Sequence, residues 1–410
     1  MPTPHRAPWI VAAAAAGIAA AVLPHVLSRR SPSRTSEPVR LAPGVGMPGG
    51  PRTTADGLRD RIAEMEARLR EHPADAGAAI LLADALLRQA RATTNGRAAN
   101  RAGDVLGSVL KDDPGQYDAL RLLGAIHLSR HRFKDALQVA RRARDERPQD
   151  AWNYGVMGDA LVELGDYDEA FEAFDRMAAL RPSADAYARV SYARELHGDL
   201  DGALAVMKMA EEATMSHDAE AKAWYTAHTG ELYLKMGKVS EAEREYRRAV
   251  FLFPDYPHAV VGLGKVSVAR GDRDRALEIF LDQLKRTPTL DIAARIGDLY
   301  QARGNAVEAE RYYQLAEDLA GPAIAQTEPA LALFLAERDR KLPEAERIAE
   351  AVVATRHDIF TEDAVAWALY KNGRFDEALA AARQALRTGT HDPRILEHAE
   401  AIRRHAKRAS

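Results

Sequence analysis

Gly262, Gly264, Lys265 and Ser267 form the stretch whose residue types and spacing come closest to a chemical motif. A glycine followed by lysine, near a serine, is the core of a phosphate-binding loop, in which backbone N–H groups and the lysine hold phosphate oxygens. A complete loop also needs a glycine five residues before the Gly-Lys pair, and Ala259 stands there. No strand-like pattern precedes the stretch, so we interpret it as part of a helix without a phosphate site.

Three pairs of closely spaced aspartates could supply oxygen ligands for a metal ion. The pairs are Asp166 with Asp168, Asp199 with Asp201, and Asp272 with Asp274. A calcium loop would need further oxygen ligands and a closing glutamate, which these stretches lack. Each pair follows a glycine where one helix is expected to end and the next to begin, and aspartate is a preferred cap there. We therefore predict helix caps, with Asp168 as one of them, and no metal site.

The remaining nucleophiles and acid–base groups are scattered. The chain has no cysteine, which excludes disulfides, thiolate metal sites and cysteine nucleophiles. Its sequence contains no His-Glu-x-x-His motif and no serine in a nucleophile elbow. His217 and Asp218 are the one pair in a long connection, over residues 211–222. The chain is therefore predicted to be no enzyme and to need no cofactor, with a catalytic site in 211–222 as the weakest alternative.

Helices must position all of these residues, because the dominant pattern of the sequence is helical. The stretch Ala151–Pro182 is typical of two amphipathic helices joined by a turn at Gly165. Glycine adopts the left-handed conformation that ends a helix, and proline ends the second helix. Gly158 and Ala170 are small where the two helices would approach each other, and Phe174 would fill the remaining space.

The same pattern recurs along most of the chain with a spacing near 34 residues. The corresponding small positions in other copies are Gly124 and Ala136, Gly230 and Ala242, Gly264 and Ala276, and Gly297 and Ala309. The pattern resembles the tetratricopeptide repeat, a helix–turn–helix unit with small and aromatic residues at fixed positions. The resemblance covers about residues 75–405. It implies an all-α, right-handed superhelical solenoid of about eight or nine repeats.

Residues 1–27 differ from the repeats, because Trp9–Leu27 carries no formal charge and is rich in alanine. A stretch of this length can span a bilayer as a helix. Three interpretations remain open: a cleaved signal peptide, an uncleaved membrane anchor and an alanine-rich soluble helix. The first two would place the protein in the cell envelope, and the second would attach it to the membrane through residues 9–27.

The expected domain order follows from these patterns. After residues 1–27, a stretch rich in Pro, Ser, Gly and Arg at 28–55 is predicted to be a disordered linker. Residues 56–391 are predicted to form the repeat solenoid, and residues 392–410 a capping helix that starts with Asp392 as cap and Pro393 as first residue. The formal net charge of −3 over 410 residues gives no indication of nucleic-acid binding.

The resemblance also implies where a partner binds, since such solenoids hold extended segments or helices against the first helix of each repeat. The positions expected to be exposed there carry aromatic residues and carboxylates. They are Trp152, Asp159, Tyr192, Glu195, Trp224, Glu231, Asp298, Phe334, Glu337, Trp367 and Tyr370. Trp and Tyr are frequent binding anchors, so Trp152, Trp224 and Trp367 are the predicted anchors. The alternative is that these aromatics pack against the neighbouring repeat.

The groove residues also indicate the chemistry of the partner. Family members that bind the carboxyl terminus of chaperones use lysine and asparagine in the groove, whereas Lys265 is the one groove lysine here. Acids and aromatics instead favour a protein segment with basic and apolar residues. We therefore predict an adaptor, or scaffold, that binds such a segment in its concave groove. The alternative is a structural protein that self-assembles as a homo-oligomer through exposed repeat faces or ends.

Overall fold

The structure is a computed structural model that describes residues 55–93, 96–215, 218–327 and 329–409. Over these ranges it contains helices and no strand. The helices are α1 (Ala55–Glu71), α2 (Ala76–Thr93), α3 (Gly96–Asp112), α4 (Tyr117–Ser129), α5 (Phe133–Glu146), α6 (Ala151–Leu164), α7 (Tyr167–Leu180), α8 (Ala184–Leu196), α9 (Leu200–Glu212), α10 (Ala219–Lys235), α11 (Val239–Leu252), α12 (Pro257–Ala269), α13 (Arg273–Arg286), α14 (Leu290–Ala302), α15 (Ala306–Thr327), α16 (Ala330–Glu337), α17 (Leu342–Val353), α18 (Ile359–Lys371), α19 (Phe375–Ala385) and α20 (Pro393–Ala409). The predicted all-α fold class is confirmed.

Consecutive helix pairs, from α2–α3 to α18–α19, form the repeats, with α1 before the first pair and α20 after the last. The two helices of a pair pack against each other, and the second helix also packs against the first helix of the next pair. First helices of neighbouring pairs touch as well, as α4 does with α6 and α10 with α12. The described part of the chain is therefore a solenoid of nine helix pairs.

Close packing within a pair depends on a glycine of the first helix that faces an aromatic ring of the second. A Cβ at Gly158 of α6 would overlap the ring of Phe174 on α7, and a Cβ at Gly264 of α12 would overlap Phe280 on α13. Both phenylalanine rings are buried. Gly264 therefore lies in a helix interior, as predicted, and does not belong to a phosphate loop.

Replacing Gly158 with alanine is expected to lower the free energy of unfolding by about 1–3 kcal/mol, because the added methyl group overlaps a buried ring. Gly107 in α3 is the matched control, since it is exposed and a Cβ there would meet nothing within 4 Å. At an exposed helical position alanine is favoured over glycine, so Gly107→Ala is expected to raise the free energy of unfolding by up to about 1 kcal/mol. Urea unfolding followed by circular dichroism measures both changes. If both substitutions changed the free energy of unfolding in the same direction, the packing of Gly158 against Phe174 would be contradicted.

In most turns described next, a glycine ends the first helix or an aspartate caps the second, as the sequence predicts. Gly165 ends α6 with a φ of 83°, in the left-handed region, as predicted. Asp199 and Asp272 cap α9 and α13, because their carboxylates accept backbone N–H groups of the first helical turn. Gly321 breaks α15, with a φ of 57° and a ψ of 169°.

Two local expectations are wrong. Asp168 is no cap, because α7 begins at Tyr167 and Asp168 lies in its first turn, while Asp166 at the cap position makes no side-chain cap bond. The connection expected over residues 211–222 is also shorter, since α9 continues to residue 212 and α10 begins at Ala219. Both errors arise because helices extend by a few residues beyond the ends that turn residues indicate.

The N-terminal segments are outside the described residues. The segment 1–27 and the linker 28–55 fall there, apart from Ala55, which begins α1. Among the helices that the structure describes, none combines the length and the apolar character needed to cross a bilayer. The interpretations of residues 9–27 stay predictions.

The superhelix contacts itself, because loops near the C-terminus meet the ends of much earlier helices. The loop between α17 and α18 contacts the end of α6 and the start of α7. The loop between α19 and α20 contacts the ends of α8 and α10. In the same manner Arg88, in the second half of α2, pairs with Asp218, just before α10. Successive turns of the superhelix therefore contact each other along their edges.

Candidate functional site

The predicted groove residues lie on the first helices α6, α8, α10, α14, α16 and α18. Seven of them are buried: Trp152, Asp159, Tyr192, Glu195, Trp224, Asp298 and Phe334. Three are half-buried, namely Glu231, Trp367 and Tyr370, and Glu337 is exposed. The expectation that these positions face solvent is wrong for the seven, because neighbouring units close over them. Their role toward a partner stays a prediction.

Cations from the next first helix neutralise two of the buried carboxylates. Arg189 of α8 holds Asp159 of α6 with two hydrogen bonds, of 2.9 and 2.6 Å. Arg338, just after α16, holds Asp298 of α14 with two hydrogen bonds of the same lengths. A guanidinium that meets a carboxylate with two parallel bonds fixes both the distance and the angle between them. These carboxylates therefore join neighbouring repeats.

A longer row of charges joins α8, α10 and α12. Lys235 Nζ lies 2.6 Å from Glu195 Oε1, and Lys265 Nζ lies 3.0 Å from Glu231 Oε2. Burial by itself raises the pKa of Glu195, but Lys235 and His228 outweigh it and lower that pKa to about 2. Burial likewise raises the pKa of Glu231, and Lys265 with Lys235 lowers it to about 2. Both glutamates are therefore charged at neutral pH although little water reaches them.

Acid is expected to destabilise the protein as the pH falls from about 4.5 to about 2. The pKa values of Glu195 and Glu231 are near 4.5 in the unfolded chain and about 2 in the folded protein. A carboxyl whose pKa is lowered by folding contributes stability above the unfolded pKa and loses it as the pH falls through the folded pKa. Urea midpoints measured from pH 6 to pH 2 test this. The Glu195→Gln variant lacks one of these two carboxyl groups. Its free energy of unfolding should therefore fall less between pH 6 and pH 2 than that of the unmodified protein. An equal fall would contradict the lowered pKa of Glu195.

Sequence analysis missed the ion pairs of these acids and named only one of the four cations, Lys265. Each one follows its carboxylate by 30 to 40 residues. A base placed one repeat length after an acid is a signal for such a pair, because that spacing predicts contact between neighbouring first helices.

Two of the three predicted anchor tryptophans pack against neighbouring side chains. Trp152 Nε1 donates to the carbonyl of Arg121 at 3.2 Å, and the Arg121 guanidinium lies over the Trp152 ring, 5.3 Å from its centroid. Trp224 stacks on His228, with ring centroids 5.2 Å apart. For Trp152 the geometry agrees with the alternative interpretation, in which the aromatics pack against the neighbouring repeat, whereas the stacking partner of Trp224 lies on its own helix, α10.

Trp367 and Tyr370, at the C-terminal end of the solenoid, differ from them because both residues are half-buried and not buried. Their rings stack with centroids 5.2 Å apart, and Trp367 also stacks on His398 of α20 at 4.0 Å. The Nε1–H group of Trp367 has no hydrogen-bond acceptor among the described residues. Glu337 is exposed at the end of the neighbouring first helix, α16. We call Glu337, Trp367 and Tyr370 the C-terminal aromatic site.

Three residues of earlier units enclose an arginine from the loop before α18. Arg356 is 1% exposed, and its Nη2 lies 2.7 Å from Glu163 Oε2. Its guanidinium carbon is 5.4 Å from the ring centroid of Phe133. Just beyond it, the N–H of Ile359 donates to Tyr167 Oη at 2.8 Å. We call Phe133, Glu163 and Tyr167 the arginine socket.

In the described ranges, the clustered charged side chains form ion pairs with one another. They include no group of three or more His, Asp or Glu side chains that could hold a metal ion. His228 and His398 each face one carboxylate, and that carboxylate also contacts a lysine or an arginine.

Comparison with protein-family models agrees with the helix pairs. One tetratricopeptide repeat model matches residues 118–183. A second tetratricopeptide repeat model matches residues 156–218, 229–291 and 364–403. No curated protein matches the sequence significantly.

Solved structures with a similar fold share little sequence with this chain. The Cut9–Hcn1 hetero-tetramer of APC/C matches with a TM-score of 0.52 and 14% identity, over 86% of this chain and 60% of that one. Human IFIT1, solved as a dimer with PPP-AAAA, matches with a TM-score of 0.51 and 17% identity, over 81% of this chain and 78% of that one. The chain therefore spans 60% of the length of the first of these. Identities this low show a common fold and no more.

Proposed function

Because the chain belongs to the tetratricopeptide-repeat family, we propose that it is a protein-binding scaffold that holds a segment of its partner on the first helices of the solenoid. The observation that supports this proposal is the C-terminal aromatic site, where the half-buried, stacked Trp367 and Tyr370 lie on α18 and the exposed Glu337 lies at the end of α16, which contacts α18. Aromatic side chains of this kind are frequent anchors of binding surfaces.

The proposed partner segment carries an apolar side chain for the two rings and a basic side chain for Glu337. The Glu337 side chain is 29% exposed, and its Oε2 lies 3.1 Å from Arg338 Nη1, so a cation from the partner would share this carboxylate with Arg338. Trp152 and Trp224 take a different role in this proposal, because both are buried and keep the first helices in place. The segment would thus lie at the C-terminal end of the groove and leave the middle units untouched.

The test is photo-crosslinking with full-length chains that carry benzoylphenylalanine in place of Tyr370 or, as control, in place of Phe251. Phe251 is 85% exposed and lies on α11, a second helix of its pair. We expect a partner to crosslink from position 370 and not from position 251. Trp367→Ala is expected to weaken binding of that partner by about 10-fold or more, as for the loss of a binding anchor.

Two outcomes would refute the proposal. One is recovery of the same proteins from both crosslinking positions. The other is unchanged partner binding by a Trp367→Ala protein whose circular dichroism shows intact helices. Light scattering over a range of protein concentrations distinguishes the self-assembling alternative, which requires mass to rise with concentration.

We also propose that residues 1–27 direct the scaffold to the cell envelope. The support is the uncharged, alanine-rich stretch at 9–27, which is long enough to enter a bilayer. Fractionation of cells that express the full chain, compared with a chain that begins at residue 28, tests this. Equal distribution of both chains in the soluble fraction would refute it.

A further inference from the structure

The outer face of α9 carries an exposed apolar stripe. Ala205 and Met209 lie one helical turn apart on this face, and Ala213, the C-cap residue of α9, follows after another turn. Met215 comes next, exposed in the connection to α10. The two methionines are 44% and 39% exposed. We call these four residues the methionine stripe, and a ligand can reach it without any movement of the helices.

The helices at this surface are acidic. Both α7 and α9 pack against α8, and together they carry seven carboxylates and two cations. Arg141 of α5 pairs with one of these carboxylates, and Arg248 of α11 pairs with another. The other five make no ion pair with a described residue: Asp168, Glu172, Asp175, Asp201 and Glu212. A surface with this excess of negative charge attracts a basic ligand.

The chain enters the fold at the same edge. Leu58, in the first turn of α1, is buried in one hydrophobic cluster with residues of α2, α9 and α10. Arg88 of α2 places its Nη1 3.3 Å from Oδ2 of Asp218, just before α10. Since α1 packs against α2, the segment that precedes Ala55 leaves the fold beside the connection that carries Met215.

The sequence of residues 28–54, which precede this point, complements both properties of the surface. It contains five arginines and one glutamate, and its apolar side chains include Val39, Leu41, Val45 and Met47. Its five prolines favour an extended chain, in which the residues between Leu41 and Ala55 reach about 40 Å. The methionine stripe is about 15 Å long by the helical rise, so the segment can cover it.

We propose that the methionine stripe is a docking site for residues 28–54 of the same chain. The apolar side chains around Leu41 lie on the methionines, and the flanking arginines lie among the carboxylates of α7 and α9. The docked segment leaves only a short tether between the fold and residues 1–27, and it turns the α9 side of the solenoid toward whatever those residues bind. The inference goes beyond the proposed function, because neither the stripe nor the segment belongs to the C-terminal aromatic site.

The experiment uses the absence of cysteine from the chain, since two introduced cysteines are then the only thiols. The full-length chain with Ala42→Cys and Ala213→Cys is treated with a short bismaleimide, and the rate of crosslinking within one chain is measured. Adding Met209→Ser with Met215→Ser is expected to slow this rate about 10-fold, because the apolar contact is lost. Adding Arg34→Glu with Arg40→Glu should slow it by a similar factor, whereas Arg34→Lys with Arg40→Lys, the matched control, should leave it unchanged.

An unchanged rate in either the serine or the glutamate background would overturn the proposal, because a segment that only collides with α9 is insensitive to these changes. Crosslinks that join two chains and not one would also overturn it, and would assign the stripe to a second copy of the chain. Circular dichroism of each variant confirms intact helices.

Trypsin gives an independent measurement on the full-length chain without introduced cysteines. Cleavage after Arg40 is expected to be about 10-fold or more slower than in the variant Met209→Ser with Met215→Ser, since the protease cuts the released form of the segment. The control is Val307→Ser, because Val307 is 79% exposed and lies on α15, and its cleavage rate should equal that of the unmodified chain. Equal cleavage of all three proteins would overturn the proposal.

These results are independent of those for the C-terminal aromatic site. Trp367→Ala changes neither the methionine stripe nor residues 28–54, so unchanged partner binding by that variant refutes the proposed function alone. Crosslinking rates that do not respond to the serine and glutamate substitutions, with partner crosslinking from position 370 intact, refute the docking of the segment alone.

Discussion

Arg189→Ala is expected to lower the free energy of unfolding by about 3–5 kcal/mol, because it leaves the buried carboxylate of Asp159 without its cation. The side chains of Arg189 and Asp159 are 2% and 1% exposed, so water cannot replace the lost partner. Urea unfolding followed by circular dichroism measures the change. Arg311→Ala is the control, because Arg311 is 72% exposed in its pair with Glu308 and a surface pair contributes less than about 1 kcal/mol.

A double variant distinguishes two effects: loss of the attraction between Arg189 and Asp159, and burial of the Asp159 carboxylate without a cation. Asp159→Leu together with Arg189→Met removes both charges and fills the same space with apolar side chains. Replacements of this kind are often neutral or stabilising, so the double variant is expected to be more stable than Arg189→Ala alone. The pairing argument fails if Arg189→Ala costs less than about 1 kcal/mol, or if the double variant is the less stable of the two.

Phe280→Ala is expected to lower the free energy of unfolding by about 3–5 kcal/mol, since it opens a cavity in the core. Phe280 is fully buried, and its ring lies against Gly264 and clusters with Ile292 and Ile296 of the next pair. The same substitution at Phe251, which is 85% exposed, is the matched control. A surface change of this kind is expected to stay within about 0.5 kcal/mol.

Urea midpoints of the two phenylalanine variants, measured side by side, decide the outcome. A difference below about 1 kcal/mol would mean that the ring of Phe280 does not fill the space left by Gly264. In that case the small positions of the repeat would need another explanation.

The sequence was sufficient to predict the helix pairs, because the determinants of a pair are local. Gly158 and Phe174 pack together and lie in consecutive helices of one unit. The same arrangement recurs in the unit of Gly264 and Phe280. A residue pattern with a fixed period can report such contacts directly.

Burial of the predicted groove residues could not be predicted in this way, because it depends on how tightly the solenoid winds. Trp152 is covered by Arg121 of the preceding unit, and Asp159 is neutralised by Arg189 of the following one. The position of a residue within its repeat does not reveal what the neighbouring unit carries. Trp367 and Tyr370 are half-buried in the pair α18–α19, where the neighbouring element is the single helix α20 and not another helix pair.

The contact between Tyr167 and Ile359 also has a consequence for the time course of synthesis. These residues are 192 positions apart, and a ribosome adds about 5–20 residues per second, so roughly 10–40 s pass between their appearances. The early units can pack with their neighbours during this interval, since a solenoid grows unit by unit. The contact of Glu163 with Arg356, however, forms only after Arg356 has been translated. The nascent chain therefore lacks this long-range contact for longer than any single repeat takes to form.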